Sequence, residues 1–295
     1  MDSSHLRPLL ESYIRSKRYN IIQLSHYYYT TDKSPGVYGE VMFWLGELFG
    51  SVISKLIKIG LPLQSIELIG HSYGGCVAFL TAKNTFPKLP LLVGLDPSPW
   101  VHFQKGYADY TIALHTNMGA WGTRFYKESD SDLVANGGTL QPKCPSGYVF
   151  EIDSEDEIVK LNQCCHKAAL DYWGSMIENP GLFYGVKCDE TDCNYHNVQL
   201  LGPNLRTPGI FHFKTSKYSP FGLGMEGIKN ITPIDIHLLN AYHDYMLQFK
   251  YVQNAYIKYF SDTYEYYVNG GFKSKTVNNA FFLSNAQLQM IQHGD

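Results

Sequence analysis

The sequence predicts an α/β protein: a mostly parallel sheet with helices on both of its faces. Two observations carry that prediction. Helix-patterned stretches alternate with short apolar runs, in the order "YNIIQL" (19–24), a long amphipathic segment, "SIELIG" (65–70), "YGGCVAFLTAKN" (73–84) and "LPLLVGLD" (89–96). Strands joined through helices lie parallel and are covered on both faces. The second observation is a serine between two glycines, "GHSYG" (70–74), where one such run meets the helix that follows. Chemistry in sheets of this kind gathers at the carboxyl ends of the strands, which is where that serine stands.

The elements follow in order. Leu6, Leu9, Leu10, Tyr13 and Ile14 recur at helical spacing, with Ser4 as the cap of a first helix. "YNIIQL" reads as a buried strand. "SPGVYGEVMFWLGELFGSVISKLIKIG" (34–60) opens with a turn and continues as an amphipathic helix whose inner face is Val41, Trp44, Leu45, Leu48, Val52 and Leu56. After "SIELIG", its helix and "LPLLVGLD", a further strand is expected over "DYTIALHT" (109–116). A helix follows over "CCHKAALDYWGSMIEN" (164–179), with His166 in its first turn. Beyond residue 185 the pattern is irregular. From 232 a helix restarts, with Thr232 as cap, Pro233 as first residue and Asp235 completing the capping pattern. Leu238, Tyr242, Tyr245, Phe249, Val252, Tyr256 and Phe260 fall on one side of it, as in a helical arm packed on a domain.

Composition narrows the partners. The 295 residues make one large domain or a domain with an appendage, and 44% hydrophobic residues supply a sizeable core. A net charge of −3 with no basic stripe gives no case for nucleic acid. No apolar run approaches the roughly 20 residues of a membrane span. "MDSSHLRPLLESYIRSK" has no long apolar core and does not read as a secretory signal.

A serine hydroxyl is nearly inert at neutral pH and needs a base beside it. An ordinary turn serine also satisfies G-x-S-x-G, so the context of Ser72 decides. It ends a strand and precedes a helix, with Gly70 and Gly74 leaving room for a tight, strained turn. The next strand ends at Asp96, placed to orient a histidine standing over the serine. Of the 11 histidines, His71 supports the turn, while His102, His115 and His212 lie in or near strands as structural residues. His166 completes the chain order Ser, Asp, His. Among the six cysteines, Cys144 and Cys164 bracket a polar insertion, and Cys188 and Cys193 lie close together. Two short bridges, ordinary thiols, or a metal site of Cys188, Cys193 and His196 all fit that spacing.

"LIGHSYGG", "LLVGLDPSPW", "ALHTNMG", "NGGTLQPKC" and "CCHKAALDYW", in that order, resemble successive signatures of the pancreatic-type lipase family. This is the animal neutral lipase and phospholipase A1 group, and the insect members are most similar. The likeness runs over about residues 1 to 225. It implies an α/β-hydrolase-type fold with Ser72 as nucleophile, His166 as general base and then acid, and Asp96 orienting the imidazolium. It also implies an oxyanion donor at the backbone N–H of Tyr73, bridges Cys144–Cys164 and Cys188–Cys193, and a lid over the site between the first pair. The lid stretch, "PSGYVFEIDSEDEIVKLNQ", mixes Tyr148, Val149, Phe150, Ile152, Ile158, Val159 and Leu161 with acids. It reads equally as an amphipathic flap or a solvated acidic loop.

The implied activity is hydrolysis of lipid carboxylic esters at a lipid–water interface, triacylglycerol first and phospholipid A1 esters second, with no cofactor or metal. The alternative is a non-catalytic, lipid- or partner-binding relative of the yolk-protein type. The family's HG-aromatic loop, which supplies a second oxyanion N–H, has no counterpart here. Residues 1–228 are therefore expected to form a partial lipase domain lacking its first strands, weakly active and prone to aggregate as written. Residues 229–295 are expected to be a helical extension of no recognised role. "QLSHYYYTT" (23–31) departs from the family's usual Asp-Trp. The bridges and the Asn230-Ile-Thr site favour an extracellular protein, although Pro233 directly after that site weakens it as a glycosylation acceptor.

Overall fold

The computed structural model describes residues 6–25, 36–145 and 154–249, side chains of 36–40 excepted. Its helices are α1 (Arg7–Ser16), α2 (Gly36–Lys58), α3 (Tyr73–Lys83), α4 (Glu155–Glu178) and α5 (Ile236–Met246). Its strands are β1 (Glu67–His71), β2 (Leu89–Leu95), β3 (Ala108–His115), β4 (Ser131–Ala135), β5 (Tyr184–Cys188), β6 (Cys193–Leu200) and β7 (Gly209–Phe213). They form one sheet in the order β1-β2-β3-β4-β7-β5-β6. The ladder is parallel from β1 through β7, and β5 and β6 close it antiparallel.

The sheet is covered on both faces, as its apolar strands require. On β2, Leu91, Val93 and Leu95 point to the side of α1 and α4, where Tyr13, Tyr172, Trp173 and Met176 pack. Leu92 points to the other side, to Met42 and Leu45 of α2 and to Phe79 and Leu80 of α3. Helices α2 and α3 press together through two glycines. A Cβ on Gly46 would strike Leu80, and one on Gly50 would lie 2.7 Å from the Asn84 backbone.

Several expectations are corrected. "YNIIQL" forms no strand: only Tyr19 and Leu24 turn inward, and Ile22 is 66% exposed. Among the described residues β1 pairs only with β2, and its far side carries no ladder for this segment to join. The inner face of α2 is Val41, Met42, Leu45 and Ile53, whereas Trp44, Leu48 and Val52 are exposed. The first helix has no side-chain cap at Leu6 and buries Leu9, Ser12 and Tyr13, while Ile14 faces out; Ser4 lies outside the described residues. Helix α4 begins nine residues early, so His166 sits in its middle. Residues 184–213 are three strands, not irregular chain. β6, "CNYHNVQL", is half exposed and carries too few apolar residues to show as a strand. β4, "SDLVA", hid behind its polar start.

Helix α5 starts at Ile236, with the Asp235 side chain accepting from the backbone N–H groups of His237 and Leu238. Thr232 and Pro233 precede it. Its buried face is Leu239, Tyr242, His243 and Met246, one position round from the expected stripe, and Leu238 is 58% exposed. The expectations for Val252, Tyr256 and Phe260 lie outside the described residues. No described helix is long and apolar enough to cross a membrane.

Candidate active site

The site assembles at the carboxyl ends of three neighbouring strands. Ser72 follows β1, Asp96 follows β2, and Thr116 and Asn117 follow β3. Ser72 has φ 57° and ψ −127°, a left-handed backbone that a residue with a Cβ rarely adopts. The turn is pinned on both sides: the Ser72 N–H donates to Leu95 O at 3.1 Å, and its carbonyl accepts from Gly75 N at 2.9 Å and Ser98 N at 3.3 Å. Of the motif's glycines, Gly70 is there for space, because a Cβ would collide with the Gly74 carbonyl. At Gly74 itself a Cβ would meet nothing within 4 Å. Gly75, against Pro97, is the tighter position.

Asp96 is fully buried and has both carboxylate oxygens occupied. Oδ1 accepts from the backbone N–H groups of Thr116 and Asn117, at 2.8 and 3.0 Å. Oδ2 lies 2.5 Å from Nδ1 of His166. A carboxylate acceptor fixes the proton on Nδ1, which leaves Nε2 with its lone pair and the character of a base. Nε2 is buried and has no hydrogen-bond partner. The structure thus joins Asp96 to His166 and brings the imidazole beside the serine turn, without a formed bond from Ser72 Oγ to Nε2.

His166 is gripped rather than swinging as a loop-edge residue would, because it lies within α4 and is 3% exposed. His71, next to the serine, donates from Nε2 to the His166 carbonyl at 3.0 Å and sets its ring 4.6 Å from the His166 ring. It therefore supports the base as well as the turn. Trp121 meets the His166 ring edge-on at 5.6 Å. Tyr73 opens α3 with its amide in the first turn, at the positive end of the helix dipole, and its ring packs edge-on against Trp100.

His115 and His212 stand in strands β3 and β7, and His102 in the segment between β2 and β3. His115 Nε2 bonds Asp132 at 2.8 Å in the core, and His102 bonds Glu128 at the surface. Burial, helped by the nearby His115, pushes His212 down to about 4. Cysteines 144 and 164, and 188 and 193, are joined as disulfides. That removes the metal reading, since both sulfurs of the Cys188–Cys193–His196 set are committed. Cys76 and Cys165 are buried thiols pushed up to about 11 and about 12, too high to ionise at neutral pH.

Of the lid stretch, Tyr148, Val149, Phe150 and Ile152 lie outside the described residues. Ile158 and Leu161 are buried in the first turns of α4, in a cluster with Ala120, Cys144, Tyr242 and Met246. Sequence reasoning missed Asn117, Trp121, Gly122 and Asn162. Asn117 lies within "ALHTNMG", but nothing in the sequence marks Gly122 as the floor under Asp96.

A family model described as "Lipase" matches residues 3–216. The chain is 27% identical over 188 residues to a phospholipase A1 of Dinoponera quadriceps, covering 60% of this chain and 45% of that protein. It is 28% identical over 162 residues to a pancreatic triacylglycerol lipase of Mus musculus, covering 47% of this chain and 35% of that one. It is 23% identical over 210 residues to a lipoprotein lipase of Neovison vison, covering 59% and 44%. The chain thus spans less than half the length of these relatives. The family-model match covers most of the chain and shows that it belongs to the lipase family.

Proposed function

We propose that the chain is a serine hydrolase of lipid carboxylic esters, acting through Ser72, His166 and Asp96. Ser72 Oγ attacks the ester carbonyl as His166 Nε2 takes its proton. The imidazolium, stabilised by Asp96, returns that proton to the leaving alcohol. The acyl-enzyme is then hydrolysed by water that His166 activates in turn. The Tyr73 N–H, at the head of α3, is one donor to the oxyanion. The observation that carries this reading is the buried Asp96–His166 pair, whose free Nε2 stands beside a strained serine turn.

Substrates are triacylglycerol or the A1 ester of phospholipids, the two classes named among the relatives. The two disulfides favour an oxidising, extracellular setting. A second reading, a lipase-like binding protein without turnover, draws on the unformed bond between Ser72 and His166. Catalytic hydrogen bonds are often open in the ligand-free state, so a fluorophosphonate probe separates the two. Labelling that is lost in Ser72→Ala and in His166→Ala supports the enzyme; an unreactive Ser72 leaves the binding protein.

A further inference from the structure

Helix α5 lies beyond the residues the family model matches, yet it bonds to residues that flank both members of the Asp96–His166 pair. Its Tyr242 hydroxyl donates to Asn162 Oδ1 at 3.0 Å, and Asn117 Nδ2 donates to the same oxygen at 3.0 Å. Asn117 is the residue whose backbone N–H holds Asp96, and its own Oδ1 accepts from the Trp121 N–H at 3.1 Å. Asn162 stands on α4 one turn before His166. It is fully buried, and its Nδ2 lies 3.3 Å from Met246 Sδ, again on α5. One turn of α5 away, His243 Nδ1 donates to the Gly119 carbonyl at 2.6 Å. Leu239 and His243 lie flat on Gly119, where a Cβ would come within 3.4 Å of both.

We propose that α5 is a positioning brace for the base: Tyr242 and His243 lock the 117–122 loop and the Asn162 turn of α4, and so fix Asp96 against His166. The physical ground is that a buried polar network is stiff only when every member is satisfied. The loop supplies Asp96 with an amide from Asn117 and presents Trp121 to the His166 ring, and its Ala120 packs in one cluster with Tyr242 and Met246 of α5. The brace deepens the serine-hydrolase reading and rests on it.

The test uses the full chain with Tyr242→Phe, which keeps the ring and removes only the hydroxyl, His243→Ala, and His243→Asn, whose amide stands where Nδ1 did. Ile236→Ala, at the exposed start of α5, is the control. Turnover of a soluble ester and the rate of phosphonate labelling are measured beside thermal unfolding. The brace predicts that Tyr242→Phe and His243→Ala lower kcat and the labelling rate about tenfold at unchanged KM, since displacements well below 1 Å suffice. His243→Asn restores most of the loss, and Ile236→Ala matches wild type. Wild-type rates in Tyr242→Phe and His243→Ala overturn the brace and leave Ser72 chemistry standing. The brace is also overturned if the loss equals the unfolded fraction, which makes α5 only a cover. A wild-type chain whose Ser72 does not label removes both readings. If His243→Ala does not fold, Tyr242→Phe and His243→Asn still decide.

Discussion

Gly122 offers the sharpest probe of how Asp96 is held. A Cβ on Gly122 would lie 2.5 Å from Oδ1 of Asp96 and 2.7 Å from its Cγ and Oδ2. Carbon–oxygen contacts settle at about 3.3–3.6 Å, so Gly122→Ala forces a separation of about 0.8 Å. The carboxylate cannot retreat without stretching its bonds to the Thr116 and Asn117 amides or the 2.5 Å bond to His166. If the loop moves instead, it carries the Asn117 amide with it. A misplacement near 1 Å in a catalytic array costs about 10²-fold in rate, so kcat should fall by about 10- to 100-fold, with KM little changed. Overpacking should also cost about 1–3 kcal/mol of stability. The assay is turnover of a soluble ester and phosphonate labelling, well below the variant's unfolding temperature and normalised to folded protein. Wild-type kcat and labelling rate in Gly122→Ala would refute the idea that this carboxylate's placement governs Ser72.

The two glycines flanking the serine should respond oppositely. Gly74→Ala should keep labelling and gain about 0.5 kcal/mol in chemical denaturation through better helix propensity, whereas Gly70→Ala should abolish labelling; equal behaviour refutes the steric assignment. His212 is held near 4 against an ordinary 6.5, so the unfolded chain binds the extra proton first as pH falls. Its contribution is fully present above pH 6.5, and stability declines between about 6.5 and 4, by up to about 3 kcal/mol. Urea midpoints across that window should fall less steeply in His212→Asn, and an unchanged slope counts against it. Replacing Cys144 and Cys164 by alanine opens a loop with a sequence separation of 20 and should cost about 3 kcal/mol, read as a lower urea midpoint. An unmoved midpoint shows that α4 is held around Cys164 by packing alone.

The strand–helix–strand run from 67 to 95 was readable because its periodicity and its turn residues are local properties. Ser72 and Asp96 were readable with it, each being simply the next residue after a strand. His166 was expected in the first turn of a helix, but that helix begins at Glu155 and holds the residue in its middle, because the polar start of the helix hides its true beginning. "YNIIQL" misled because an apolar run becomes a strand only with a neighbour to bond, and that is not written within the run itself. β6 stayed hidden because a half-exposed strand with two asparagines owes its existence to the ladder beside it, while β4, β5 and β7 are only five residues long and carry too short a pattern to read.

Sequence alone therefore determined the mostly parallel α/β class and the attachment of Ser72 and Asp96 to strand ends, both consequences of short-range pattern. Only the tertiary structure decided which atoms meet. It put the Asn117 amide under Asp96, left no room for a side chain on Gly122, set Asn162 between Asn117 and Tyr242, and laid α5 across a loop 124 residues away. Contacts at such separations depend on how whole elements pack, and no local preference of a residue encodes them.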